Sequence, residues 1–129
     1  MAGNVPQNLK YTKEHEWARV SGNTVVVGVT QHAQEALGDV VYVELPKVGS
    51  TITAGKQFGV IESTKAVSEL YAPITGKVVK VNEALSDKPD TVNMDPYGEG
   101  WIIEVEPSDS KQLAGLLDAT AYAELLKNA

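Results

Sequence analysis

Phe58-Gly59-Val60-Ile61-Glu62-Ser63-Thr64-Lys65-Ala66-Val67-Ser68-Glu69-Leu70-Tyr71 holds two strand-like runs with a short polar break between them. Apolar residues on both sides and small polar ones in the middle read as a β-hairpin with Lys65 at its tip. A lone lysine held out by a sheet makes an attachment point. Ser63, Thr64 and Ala66 are small, so a modifying enzyme can clasp the tip without collision. Gly59 and Gly76 punctuate strands on either side, as tightly bent small barrels require. A free lysine amine titrates near ~10.4 and is a poor nucleophile at neutral pH. The sequence offers no desolvating pocket around Lys65, so acylation suits it better than Schiff-base catalysis. The plainer alternative is a solvated hairpin lysine, and local pattern alone leaves both readings open.

Outward from the hairpin, Leu9 to Pro107 is a series of short strand signals broken by Gly and Pro. Trp17–Val20 and Thr24–Val29 flank the turn Ser21-Gly22-Asn23 and form a hairpin. Thr30 caps a short helix ending at Leu37, with Ala33, Ala36 and Leu37 on one face and Gly38 as its stop. Asp39–Leu45 is a strand stopped by Pro46, and Lys47–Ser50 a turn. Gln57–Ile61, Val67–Tyr71, Lys77–Asn82 and Trp101–Val105 complete the strands. Ala84 to Gly100 is a long connection that is either packed down or borders a binding surface. From Ser108 the period turns helical: Leu113, Leu116 and Leu117, then Tyr122, Leu125 and Leu126. Ser108 or Asp109 caps the first short helix and Asp118 or Thr120 the second; both pack on the sheet without chemistry of their own. The expected organisation is one domain: a flexible stretch over residues 1–8, a β core over 9–107 and C-terminal helices over 108–128.

Composition narrows the function classes. The chain has 129 residues, 43% of them hydrophobic, enough for a packed interior. Its net charge of −6 repels phosphate backbones and anionic lipid, so neither nucleic acid nor membrane is an expected partner. The absence of cysteine removes disulfides and thiolate metal sites. There is no phosphate-binding loop, and no nucleophile stands beside a base in a recognisable motif. His15 and His32 are a weak metal signal, without His-Glu-x-x-His spacing. Asp87, Asp90 and Asp95 fit no calcium pattern. Met1–Pro6 lacks signal-peptide and transit-peptide character, which reads as a bacterial cytoplasmic protein; a mature mitochondrial form with an added Met looks much the same.

Six segments together resemble one family. Lys10-Tyr11-Thr12-Lys13-Glu14-His15-Glu16-Trp17, Val27–Gln34, Leu37–Pro46, Glu62–Ala66, Tyr71–Gly76 and Pro96–Ile102 are similar, in the same order, to blocks of the H proteins of the glycine cleavage system. The resemblance runs from about Leu9 into the C-terminal helices. Glu69 stands where many relatives have Asp, and Thr64 where many have Val; neither blocks modification.

The resemblance implies a mainly β fold, a flattened hybrid barrel of two small antiparallel sheets, with a short internal helix and short C-terminal helices. The same architecture carries biotin elsewhere, on sites resembling Met-Lys-Met; Thr64-Lys65-Ala66 favours lipoate. Lipoate is then in amide linkage to Lys65, with Glu62, Ser63, Thr64 and Ala66 recognised by a lipoate ligase or octanoyltransferase. The implied role is that of a non-catalytic, monomeric shuttle. A pyridoxal-phosphate glycine decarboxylase loads the arm with methylamine, a tetrahydrofolate-dependent aminomethyltransferase takes the one-carbon unit, and dihydrolipoamide dehydrogenase reoxidises the arm. Tethering raises the effective concentration at each partner. The loaded arm hydrolyses in water, so a surface cleft with a carboxylate for its ammonium is expected. Glu16 is the first choice, followed by Glu14 and Glu69, with His32 lining the cleft. The alternative for Glu16 is a solvated strand-end acid. Trp17 and Trp101 are expected as core or cleft-wall aromatics. Two rival functions remain: a lipoyl donor serving other enzymes, and an unmodified interaction module, which the acidic surface disfavours.

Overall fold

A computed structural model describes residues 5–127. The chain forms β1 (Lys10–Tyr11), β2 (Glu16–Ser21), β3 (Thr24–Val29), α1 (Gln31–Leu37), β4 (Val40–Glu44), β5 (Thr51–Ile52), β6 (Gln57–Ser63), β7 (Val67–Tyr71) and β8 (Gly76–Val81). There follow α2 (Ala84–Asp87), α3 (Thr91–Met94), β9 (Ile103–Pro107), a 3-10 turn (Ser110–Gly115) and α4 (Ala119–Lys127). One sheet has the order β1-β2-β3-β9-β8-β5 and the other β4-β6-β7, and every strand pair in both is antiparallel. This is the mainly β, two-sheet hybrid barrel expected from the sequence. Residues 1–4 of the stretch expected to be flexible, and residue 128 of the C-terminal stretch, lie outside the described residues. Val5 packs against a buried cluster, and Tyr11 Oη donates to the Pro6 carbonyl at 2.6 Å.

The main core lies between the sheets. Val25, Val27 and Val29 of the larger sheet meet Val43, Ile61 and Leu70 of the smaller one. Thr24–Val29 reads as an unbroken apolar run because the other face of β3 is covered too. Val26 joins Trp17, Leu9, Tyr11, Ala119 and Tyr122 in a second cluster, which docks α4 and the N-terminal segment onto that face. Tyr11 and Tyr122 stack within it, centroids 4.5 Å apart. Trp17 is fully buried, and its indole N–H donates to the Pro96 carbonyl at 2.9 Å.

Local signals worked where the chemistry was local. Thr30 Oγ1 accepts from Ala33 N, and Gly38, at φ 82°, ends α1. Asp109 accepts from Lys111 N, and Asp118 from Ala121 N. The stretch 84–100 instead contains α2 and α3, pinned by Asn82 and Asn93. Asn82 Nδ2 donates to the carbonyls of Glu99 and Trp101.

Candidate functional site

The hairpin of β6 and β7 turns through Ser63–Ala66. Ser63 N donates to the Ala66 carbonyl at 2.8 Å, while Ser63 Oγ accepts from the backbone of Lys65 and Ala66. Thr64 N donates to the Asp39 carbonyl, tying the tip to the residue before β4. Ser63 therefore fixes the turn from within and Asp39 from outside. Thr64, Lys65 and Ala66 are exposed, and Glu62, paired with Tyr42 and Val67, is half-buried. Among the described residues the Lys65 ammonium has no ion pair. Its stem passes over Gly38, where a Cβ would stand 3.3 Å from Lys65 Cε. Asn93 holds that glycine turn: its Nδ2 donates to the Gly38 carbonyl and to Gln34 Oε1, and its Oδ1 accepts from Val40 N.

A cleft of about 400 Å³ opens beside the hairpin. Val29, Ala33, Leu37, Ile61 and Leu70 make its apolar walls, and Glu14, His15 and His32 its polar rim. A second cavity of about 300 Å³ lies farther along β7, bordered by Tyr71, Pro73, Leu116, Thr12 and Glu16. Glu14 lines both. The loop before β2 thus runs along the open edge of β7 and separates the two hollows.

Glu16 is not a solvated acid: only 2% of it is exposed. Thr12 Oγ1 donates to its Oε1 at 2.6 Å, and Tyr71 N donates to its Oε2 at 3.2 Å. Burial pushes its carboxyl up to about 7, against the pull of these two donors; Glu14 nearby adds to the rise. His15 sits at φ 72°. Its N–H donates to the Thr12 carbonyl and its carbonyl accepts from Thr30 N, so the surroundings enforce that conformation. Its Nδ1 lies 2.8 Å from Tyr122 Oη, which in turn lies 2.8 Å from Thr30 Oγ1. The rings of His15 and His32 are 4.5 Å apart, and burial, then His32, lowers the His15 pKa. Among the described residues no group of three or more His, Cys, Asp or Glu side chains gathers as metal ligands would.

The structure therefore brings Ala66, Glu14 and His32 to one cleft, with Lys65 next to it on the hairpin tip, and Glu16 to the neighbouring cavity. Glu69 lines neither; it is exposed and accepts from Tyr71 Oη at 2.8 Å. Sequence reading gave no role to Thr12 or Asn93, took Gly38 only as the helix stop, and weighed His15 only as a metal ligand. The Thr30-to-Gly38 helix signal was the one clue to Gly38. Asn93 carried none.

The family model described as glycine cleavage H-protein matches residues 9–129. The chain belongs to that family. It is 77% identical over 128 residues to the glycine cleavage system H protein of Myxococcus xanthus (strain DK1622), covering 99% of each chain. It is 55% identical over 126 residues to that of Escherichia coli O7:K1, covering 97% of this chain and 98% of the other. Its fold is similar to the crystal structure of a glycine cleavage system H protein from Mycobacterium marinum, with a TM-score of 0.86, 43% identity, and coverage of 95% and 99%. As a member, the chain is a lipoyl carrier that shuttles between the enzymes of the glycine cleavage system.

Proposed function

We propose that Lys65 is the attachment residue of this carrier, acylated by lipoate in amide linkage. The observation that carries this reading is an exposed lysine with no ion pair among the described residues, on a turn fixed by Ser63, with an apolar cleft alongside. A primary amine and apolar walls fit a medium-chain acyl group. Amide formation removes the Lys65 charge, and no counter-ion is left behind. Glu62, Ser63, Thr64 and Ala66 are what a lipoate ligase or octanoyltransferase reads around it. Lipoate bound there supplies a disulfide that opens to take up a one-carbon amine from glycine and closes on reoxidation.

The chain's own part is binding and shelter. Val29, Ala33, Leu37 and Ile61 take up the hydrocarbon stem and exclude water. Glu16, aimed by two donors, offers its carboxylate to the cationic end of the load, with Glu14 on the path and His32 on the rim. Glu69, exposed and accepting from Tyr71 Oη, stands outside both cavities. The partners are a pyridoxal-phosphate glycine decarboxylase, a tetrahydrofolate-dependent aminomethyltransferase and dihydrolipoamide dehydrogenase, met in turn by one monomeric, non-catalytic domain in the bacterial cytoplasm.

Lys65→Arg tests the assignment. The variant is expected to fold as the parent does, to gain no lipoyl mass, and to support no glycine–bicarbonate exchange with the decarboxylase. Turnover by the variant, or lipoate mapped to another residue, would refute it.

A further inference from the structure

We propose that Thr12 is the positioning residue for the Glu16 carboxylate, its hydroxyl proton being committed to Glu16 Oε1. The inference rests on the reading of Glu16 as the carboxylate that holds the ammonium of the load.

Hydrogen-bond arithmetic at one oxygen carries the argument. A threonine hydroxyl has one proton and two lone pairs. Thr12 Oγ1 accepts from the backbone N–H of Glu14 at 3.2 Å and of Glu16 at 3.1 Å. Both lone pairs are therefore engaged, and the single proton goes to Glu16 Oε1, 2.6 Å away. The other oxygen, Oε2, faces Tyr71 N, which only donates. Both hydrogen-bond donors to the carboxyl thus favour its charged form, against the burial and the Glu14 charge that oppose it. The same residue closes the loop through its backbone: Thr12 N donates to the Glu16 carbonyl, and the Thr12 carbonyl accepts from His15 N. One residue consequently sets both the loop path and the direction of the carboxylate. Removing the hydroxyl leaves Oε1 without a donor and two backbone N–H groups without an acceptor.

The titratable groups around Glu16 are Tyr11 on β1, Lys13 and Glu14 in the loop, Tyr71 on β7 and Tyr122 on α4. They are unchanged in Thr12 variants, so a shift in Glu16 titration reports the hydroxyl.

The experiment follows Glu16 by carboxyl 13C NMR in unlipoylated protein, and separately follows loss of the one-carbon amine from loaded carrier. Thr12→Val, Thr12→Ser and Glu16→Gln are compared with the parent. Thr12→Val is expected to move the Glu16 midpoint upward by about one pH unit and to speed the loss roughly tenfold, hydrogen bonds to charged groups being the strong ones. Thr12→Ser keeps the hydroxyl and is expected to match the parent in both. A normal midpoint and decay in Thr12→Val, with fast decay in Glu16→Gln, overturns the Thr12 role and leaves that of Glu16 standing. Normal decay in Glu16→Gln removes both. Should Thr12→Val fail to fold, Thr12→Ser decides: a shifted midpoint or faster decay there assigns the effect to the methyl group and overturns the proposal.

Discussion

Gly38 and Lys65 meet at close range, the α-carbon of one lying under the side-chain stem of the other. A Cβ on Gly38 would stand 3.3 Å from Lys65 Cε and within 4 Å of Cδ and Cγ. Gly38 also adopts φ 82° and ψ −157°, a region open essentially to glycine alone. Helix α1, the strand β4 that follows it and the attachment hairpin are thus joined through a residue without a side chain.

Gly38→Ala is therefore expected to act twice. Backbone strain should lower stability by about 1–3 kcal/mol in denaturant unfolding. The new methyl group should also push the Lys65 stem aside and slow its acylation by a lipoate ligase. Unchanged stability together with unchanged ligation kinetics would rule out the contact as described.

Asn93→Ala removes the three side-chain bonds that Asn93 makes around the Gly38 turn, to Gly38 O, Gln34 Oε1 and Val40 N. The cost should be about 1–3 kcal/mol, since a buried backbone donor loses its partner. Amide exchange at Val40 should quicken, whereas the far hairpin of β2 and β3 keeps its protection. Uniform acceleration across the chain would argue against a local role.

Gly28→Ala tests how the second cluster is built. Trp17 lies across from Gly28 in register, and a Cβ there would come within 2.5 Å of the indole ring. The ring is fully buried and tied to Pro96, so it has nowhere to go. Overpacking should cost about 1–3 kcal/mol and shift the tryptophan fluorescence. A variant as stable as the parent would contradict this packing.

Stability should depend on pH with a definite sign. Burial raises Glu16 from 4.5 to about 7 in the folded chain. Its neutral form favours folding, so that contribution is complete below about 4.5 and fades as pH rises through about 7, roughly 3 kcal/mol in all. His15 works the other way: its lowered pKa costs stability as pH falls below 6.5. The two act in opposite directions in the parent. In Glu16→Gln only the His15 trend should remain, so stability should fall more steeply on acidification between pH 7 and 4.5. Urea melts across that range check it; identical slopes for parent and variant would show that Glu16 does not titrate there.

Much of the fold was legible because its signals are local. Thr30, Gly38, Asp109 and Asp118 act on backbone within a few residues, and the Thr24–Val29 run announces a strand whatever it packs on. Where partners are distant, reading failed. β1 and β5 are two residues long and exist only because β2 and β8 pair with them. The connection 84–100 became helical because Leu85 and Val92 reach the core. Position alone could not tell whether Glu16 was solvated or buried.

From the sequence by itself came the hairpin with its lysine, the acidic surface, and the collinear blocks that mark the family. Those follow from periodicity, turn chemistry and charge, all properties of neighbouring residues. Only the tertiary structure decided that Glu16 is enclosed and aimed by Thr12 and Tyr71, that Glu14 borders both described cavities while Glu69 borders neither, and that Gly38 lies beneath Lys65. Each of these depends on which atoms displace water around a side chain, and residues as distant as Thr12 and Tyr71 meet only when the sheets close on a common core.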